Sequence, residues 1–249
     1  MERKASITPV SVLHYVRLVY RSLLFLAALF AYVTGRLDRI SERPVIMTVI
    51  WIVFAVEMVM RFFPSKLESP GCQKQFQRNY IKTGHTDIVI QDNHATVLVA
   101  LTWIMFNGII GFFRMAGLLD DGFMILLSCA YAVCDMICIL FFCPFQTWFL
   151  KNKCCGTCRI YNWDYAMMFT PLFFVKSAFS WSLLVLAVGL LLRWELTVYR
   201  HPERFSENTN EYLYCRNCTE KLCTHKKQLQ TLWITIAEFS RERIRKLQK

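Results

Sequence analysis

The stretch 95–145 reads ATVLVALTWIMFNGIIGFFRMAGLLDDGFMILLSCAYAVCDMICILFFCPF, and it decides the fold. Two long apolar runs, 95–119 and 123–145, are separated only by the turn Asp120-Asp121-Gly122. A helix of about 20 apolar residues spans the roughly 30 Å hydrocarbon core of a bilayer. We therefore expect two membrane helices here, and the short turn makes them antiparallel neighbours.

Three further apolar segments lie at 18–34, 45–63 and 167–192, and Pro171 and Lys176 interrupt the last of them. Apolar residues make up 55% of the 249-residue chain, whereas about 45–50% is usual for a soluble domain. The sequence predicts an all-α, multi-pass helical membrane bundle of about five apolar segments, with four or five full crossings. Residues 1–194 form the predicted transmembrane domain, and residues 195–249 form a polar, Cys-rich tail.

The distribution of positive charge bears on the topology. We call side X the membrane side that holds the N-terminus and the loops 64–93 and 146–166. Of the 29 Lys and Arg residues, the loops of the opposite side contain only Arg36, Arg39, Arg43 and Arg114. Positive charge gathers on one side of most membrane proteins. Five crossings, our first model, would put the basic tail opposite side X; a re-entrant or interfacial segment would instead keep it on side X.

Four charged side chains lie inside the apolar segments: Glu57, Arg114, Asp135 and Lys176. A charge in hydrocarbon is costly, so such groups usually face the bundle interior and pair. Asp135 and Lys176 each lie about ten residues, or about 15 Å of helix, from the side-X end of their segment. We therefore expect an Asp135–Lys176 contact near Glu57, which also lies one helical turn from Arg61. Such a pair would fix helix packing or relay protons or ions.

Cysteines cluster in two places, and the first cluster runs from Cys134 to Cys158. Cys155-Gly-Thr-Cys158 has the spacing that lets two thiolates bind one metal ion or form a redox dithiol. Lys151, Lys153 and Arg159 surround it, and nearby positive charge lowers the pKa of a thiol. Earlier in the cluster, Cys134 and Cys138 share one helix face, and we interpret them, with Cys129, as small apolar packing residues.

Three kinds of chemistry are consistent with the first cluster. The first is a zinc site, and the second is an iron–sulfur cluster. The third is a thiol–disulfide exchanger in which Cys155 and Cys158 pass electrons to Cys138 or Cys143. The candidate metal ligands are Cys143, Cys154, Cys155 and Cys158.

The second cluster follows the pattern C-x2-C-x4-C-x-H through Cys215, Cys218, Cys223 and His225. Three thiolates and one imidazole are enough for a closed tetrahedral zinc site. The spacing begins like a zinc knuckle and then departs from it. We expect a small metal-stabilised unit in the tail, with a disulfide or free thiols as the alternatives.

The end of the tail predicts an amphipathic basic helix that binds anionic lipid or a partner helix. The formal net charge of +11 is therefore assigned to the membrane surface rather than to nucleic acid. The chain has no Walker loop, dinucleotide fingerprint or HExxH motif, so whether it is an enzyme stays open. The leading hypothesis is a Cys-based metal or thiol redox protein; the alternatives are an ion or metal transporter and a zinc-stabilised scaffold or sensor.

Overall fold

The computed structural model describes residues 8–37, 44–90, 93–152 and 154–220. This part of the chain is helical and contains no strand beyond the isolated bridge between Lys82 and Asn210. The helices are α1 (Pro9–Val33), α2 (Pro44–Met60), α3 (Pro70–Gln73), α4 (Asn93–Met115), α5 (Asp121–Leu140), α6 (Asp164–Phe169) and α7 (Ala178–Arg200). Among the described helices, α1, α4, α5 and α7 are long and apolar enough to cross a membrane, and α2 is a shorter apolar helix. The predicted multi-pass helical fold is confirmed.

The turn between α4 and α5 forms as its residues predict. The Asp120 carboxylate caps α5 by accepting a hydrogen bond of 2.7 Å from the backbone N–H of Phe123, and Asp121 pairs with Arg114. Large side chains join the two helices further along, since the Tyr131 hydroxyl donates to Asn107 Oδ1 at 3.3 Å. The helices run antiparallel, as expected, and long side chains rather than close backbone packing join them.

The apolar segment 167–192 is not one helix. Helix α6 continues into a 3-10 stretch, Thr170–Phe174, in which Pro171 occupies the first turn. The backbone then becomes extended at Val175, with φ −99° and ψ 119°, and α7 begins at Ala178. Lys176 consequently lies in the break before α7, where it is exposed.

The direction of α7 decides the topology. Near its start, Ser182 accepts a hydrogen bond of 2.8 Å from Trp51 in the middle of α2. Near its end, Arg193 donates to the carbonyl oxygen of Phe62 at 2.7 Å, and Trp194 donates to that of Arg159 at 2.8 Å. The carbonyl groups of Phe62 and Arg159 lie in the side-X connections that follow α2 and α5, so α7 runs toward side X.

Residues 164–177 therefore descend from side X as a broken, re-entrant segment, and α7 returns to the same side. This arrangement corrects the five-crossing model, which placed the tail opposite side X. The physical reason is the break at Pro171 and Val175, which lets a single apolar stretch turn back on itself. It also agrees better with the distribution of positive charge, because the described part of the tail lies on the same side as the basic loops.

The part of the tail that the structure describes, up to Glu220, lies on side X. The backbone N–H of Glu211 donates to the carbonyl oxygen of Ile81 at 2.8 Å, and that of Thr83 donates to the carbonyl oxygen of Thr209 at 3.3 Å. At the tip of the described tail, Glu220 accepts hydrogen bonds from Ser11 and His14 in the first turns of α1. The first turns of α1, the loop after α2 and the tail up to Glu220 thus pack into one layer.

Candidate functional site

Arg21 is the centre of a buried ionic network where α1, α2 and α5 meet. Its side chain is 0% exposed, and its two terminal nitrogens donate to Glu57 Oε2 and Asp135 Oδ2, each at 2.8 Å. The guanidinium also donates to the carbonyl oxygen of Ala132 at 3.2 Å. The Tyr165 hydroxyl, from the re-entrant segment, donates to Glu57 Oε2 at 2.9 Å. One cation therefore joins four segments of the bundle.

A second layer of ion pairs lies between this centre and side X. Arg17 contacts Glu57 Oε1 at 2.9 Å and Glu68 Oε1 at 2.6 Å. Arg61 contacts Asp164 Oδ2 at 2.6 Å. These side chains are nearly inaccessible to solvent. Because buried charges persist only when they are paired and hydrogen-bonded, the network fixes the side-X ends of the helices.

The structure does not bring Asp135 and Lys176 together. Asp135 pairs with Arg21 instead, and the exposed Lys176 lies outside the helix on which the depth estimate relied. Glu57 is in the network as expected, but its partners are Arg17 and Arg21 rather than Arg61. The estimate failed because it counted residues along a helix that is broken after Phe174.

The Cys155–Cys158 turn lies on side X beside a buried lysine. Residues Cys155–Thr157 form a 3-10 turn, and the N–H of Cys158 donates to the carbonyl oxygen of Cys155 at 3.1 Å. Such a turn brings the first and fourth Cα atoms within about 7 Å, near the range in which a disulfide forms. Cys155 is half-buried and Cys158 is 8% exposed. The two cysteines are thus placed as an outer and an inner thiol.

Lys74 reaches this turn from the loop after α2. Its ammonium donates to the carbonyl oxygens of Gly156 at 3.1 Å and Cys158 at 2.7 Å, and it lies 5.3 Å from the ring centroid of Trp194. Burial lowers the pKa of Lys74 from 10.5 to about 8, although the neighbouring thiols Cys158, Cys154 and Cys155 act in the opposite direction. A cation at this position favours the thiolate form of those cysteines.

Other thiols surround the turn. Cys138, near the end of α5, interacts with Cys143, and Cys143 and Cys154 both lie close enough to Cys158 to affect its ionisation. Burial, the largest effect, raises the pKa of Cys158 to about 11. From Cys138 to Cys158, the cysteines of the first cluster therefore form one spatial group.

The remaining described cysteines have other surroundings. Cys72 is fully buried, its sulfur accepts a hydrogen bond of 3.5 Å from Asn162, and burial raises its pKa to about 11. Cys129 lies among apolar side chains and Cys134 is exposed on α5. Cys215 and Cys218 lie on side X, the same side as the Cys155 turn, whereas the five-crossing model separated the two groups.

No group of three or more His, Cys, Asp or Glu side chains within the described ranges is arranged to hold a metal ion. The zinc and iron–sulfur interpretations of Cys143, Cys154, Cys155 and Cys158 thus gain no support. Cys223 and His225 lie outside the described residues, as does the predicted basic helix of the tail. The four-ligand site of the tail stays a prediction.

Sequence reasoning missed the three cations that organise the site: Arg17, Arg21 and Lys74. Arg17 and Arg21 stand one helical turn apart at the start of an apolar segment, a position usually assigned to the membrane surface. Arg17 and Arg21 are four residues apart, as are Glu57 and Arg61 on the next helix, and this matched spacing could have predicted ion pairs between the two helices. Lys74 carried no signal, since only the folded chain brings it to the Cys155 turn.

The chain matches no family model, no curated protein and no solved structure. Its function is accordingly inferred from the geometry of its own residues. The two features that carry chemical information are the ionic network around Arg21 and the thiol group around Lys74.

Proposed function

We propose that the protein is a membrane thiol–disulfide exchange protein whose working dithiol is Cys155 and Cys158 on side X. The observation that carries this proposal is the buried Lys74 ammonium, bound to the backbone of the turn that joins the two cysteines. A lysine rarely gives up its hydration unless it is paired, and here it lies beside thiols rather than carboxylates. Its charge stabilises a thiolate whenever one forms.

The exchange proceeds through two displacements. The Cys155 thiolate attacks one sulfur of a substrate disulfide, the S–S bond breaks, and the departing sulfur leaves as a thiolate that takes up a proton. Cys158 then loses its proton and attacks Cys155, which forms the intramolecular disulfide and releases the second substrate thiol. Two electrons and two protons pass from the dithiol to the substrate, and the reverse sequence oxidises a substrate dithiol.

The positions of the two thiols suit these roles. Cys155 is the more accessible of the pair, as an attacking group must be. Cys158 is buried with its proton retained at neutral pH, since its pKa is raised to about 11. The Lys74 ammonium, bound to the carbonyl oxygen of Cys158, stabilises the thiolate that forms when this proton leaves. The adjacent Cys138 and Cys143 supply a second dithiol that can take over the disulfide by the same chemistry.

A redox titration tests the proposal. The protein in lipid nanodiscs is equilibrated with mixtures of reduced and oxidised dithiothreitol, trapped by alkylation and analysed by mass spectrometry. We expect a reversible two-electron transition with a Cys155–Cys158 linkage, which is lost in Cys155→Ser and Cys158→Ser. Cys134→Ala, which removes an exposed thiol from the apolar face of α5, is the matched control. The absence of the linked peptide at every potential would rule out the exchange role.

Lys74→Met separates exchange from simple thiol packing. We expect this variant to fold and to form the same disulfide, but with slower exchange at pH 8, because thiolate stabilisation is lost. If exchange rates are equal in the variant and the native protein, Lys74 has only a packing role.

The intramembrane charges support a structural role better than ion transport. Glu57 and Asp135 each bond directly to Arg21, so a transported cation would have to displace a buried guanidinium. We therefore assign the network to holding α1, α2 and α5 in register beneath the thiol layer. Flux measurements in proteoliposomes would test the transport alternative.

A further inference from the structure

An apolar cavity lies in the half of the bundle that faces away from side X. Its volume is about 260 Å³, and it is enclosed by the far halves of α1 and α2, the first turns of α5 and the beginning of α7. Two alanines of α1, Ala28 and Ala31, leave the space that larger side chains would fill, and Trp51 of α2 forms part of the opposite wall. An apolar cavity of about 150 Å³ is enough to bind a benzene ring.

The wall contains no charged side chain but does contain an unsatisfied hydroxyl. Ser128 of α5 lines the cavity and is 5% exposed. Its Oγ atom has no hydrogen-bond partner among the described residues. Neighbouring atoms cover this oxygen. Because buried hydroxyl groups are nearly always hydrogen-bonded, a rotation about the Cα–Cβ bond of Ser128 that turns the hydroxyl into the cavity would let it pair with a molecule there.

The cavity is placed to fill from the bilayer. Ala27 of α1 and Ile46 of α2 line it and are also exposed on the outer surface of the bundle. These two residues mark a lateral opening between the helices, at membrane depth. A molecule dissolved in the hydrocarbon can therefore enter without crossing the ionic network around Arg21.

We propose that this cavity binds an uncharged apolar molecule of ring or short-chain size that carries one hydroxyl or carbonyl group, with that group bonded to Ser128. The absence of lining charge excludes an ionic ligand, and the volume favours a body larger than benzene. The proposal is independent of the thiol chemistry, since the cavity and the Cys155 turn lie in opposite halves of the molecule.

A pair of brominated probes tests the site. In nanodiscs made of unbrominated lipid, 4-bromophenol and 4-bromotoluene have nearly the same shape, but only the first can hydrogen-bond to Ser128. Bromine quenches tryptophan fluorescence on contact, so binding is read from Trp51. We expect saturable quenching by bromophenol in the native protein, and we expect the saturable part to be missing in Trp51→Phe.

Two variants identify the cavity and the hydroxyl. Ser128→Ala should weaken bromophenol binding about five- to tenfold, the value of one neutral hydrogen bond, and should leave bromotoluene binding unchanged. Ala28→Phe, which fills the cavity, should abolish saturable quenching, whereas Leu26→Phe on the exposed face of α1 should not. Quenching that rises linearly in every variant, or equal affinities in Ser128→Ala and the native protein, would overturn the proposal.

Discussion

Replacing Arg21 by Met tests whether the buried ionic network holds the bundle together. The change keeps a long apolar stem but removes the cation that bonds to Glu57, Asp135 and the carbonyl oxygen of Ala132. The carboxylates of Glu57 and Asp135 stay buried, and each loses the guanidinium nitrogen that lies 2.8 Å away in the native protein. Removing one partner of a buried pair typically costs about 3–5 kcal/mol, and we expect a loss of at least that size. In a chain of this length each kcal/mol lowers Tm by about 2–4 °C.

The assay is unfolding of the purified protein in mixed micelles, followed by circular dichroism against heat or denaturing detergent. Arg114→Met is the matched control, because Arg114 forms an exposed ion pair with Asp121, with side chains 30% and 46% accessible. Exposed pairs contribute about 0–1 kcal/mol. Adding Asp135→Asn to Arg21→Met should recover part of the lost stability by removing one unpaired charge. Equal losses in Arg21→Met and Arg114→Met would refute the reasoning.

Two further predictions concern packing and pH. Gly111→Ala should lower the free energy of unfolding by about 1–3 kcal/mol, because the added Cβ would lie 2.6 Å from Phe174 Cε1. Gly108→Ala, whose Cβ would meet open space, should be neutral or stabilising. Thermal unfolding of the two variants tests this, and equal melting temperatures would contradict it. In the folded protein burial lowers the pKa of Lys74 from 10.5 to about 8. Between pH 8 and pH 10.5 the unfolded chain therefore binds more protons at this lysine than the folded protein does. The contribution of Lys74 to the free energy of unfolding consequently rises with pH in this window. The difference in unfolding free energy between the native protein and Lys74→Met should therefore grow in favour of the native protein from pH 8 to pH 10, and a difference independent of pH would contradict the assignment.

The helical architecture was predictable because hydropathy acts locally. The apolar runs around the Asp120 turn specify two helices and their connection, and the cap at Asp120 follows from its own side chain. The grouping of the cysteines from Cys138 to Cys158 was predictable for a similar reason, since the end of α5 and the following loop bring them back to one surface. The spacing of Cys155 and Cys158 fixes their turn.

The rest depends on contacts between distant residues. Pro171 was visible as an interruption, but the reversal of direction after it depends on α7 packing against α2 and on Trp194 bonding to Arg159. The same reversal places Lys176 in the exposed break before α7, away from Asp135, which pairs with Arg21 instead. Lys74 reaches the Cys158 carbonyl across 84 residues of sequence, and no local pattern encodes that contact.

The central claim is that the start of α1, the thiol group and the tail up to Glu220 lie on one side of the membrane. Peptide-resolved labelling with a membrane-impermeant maleimide in sealed vesicles of known orientation tests it directly. Cys215 is exposed in the tail, Lys82→Cys marks the side-X loop, and Leu118→Cys marks the opposite turn, where Leu118 is 70% exposed. The structure predicts that Cys215 and Lys82→Cys react from one side and Leu118→Cys only from the other. Labelling of Cys215 together with Leu118→Cys would contradict the account.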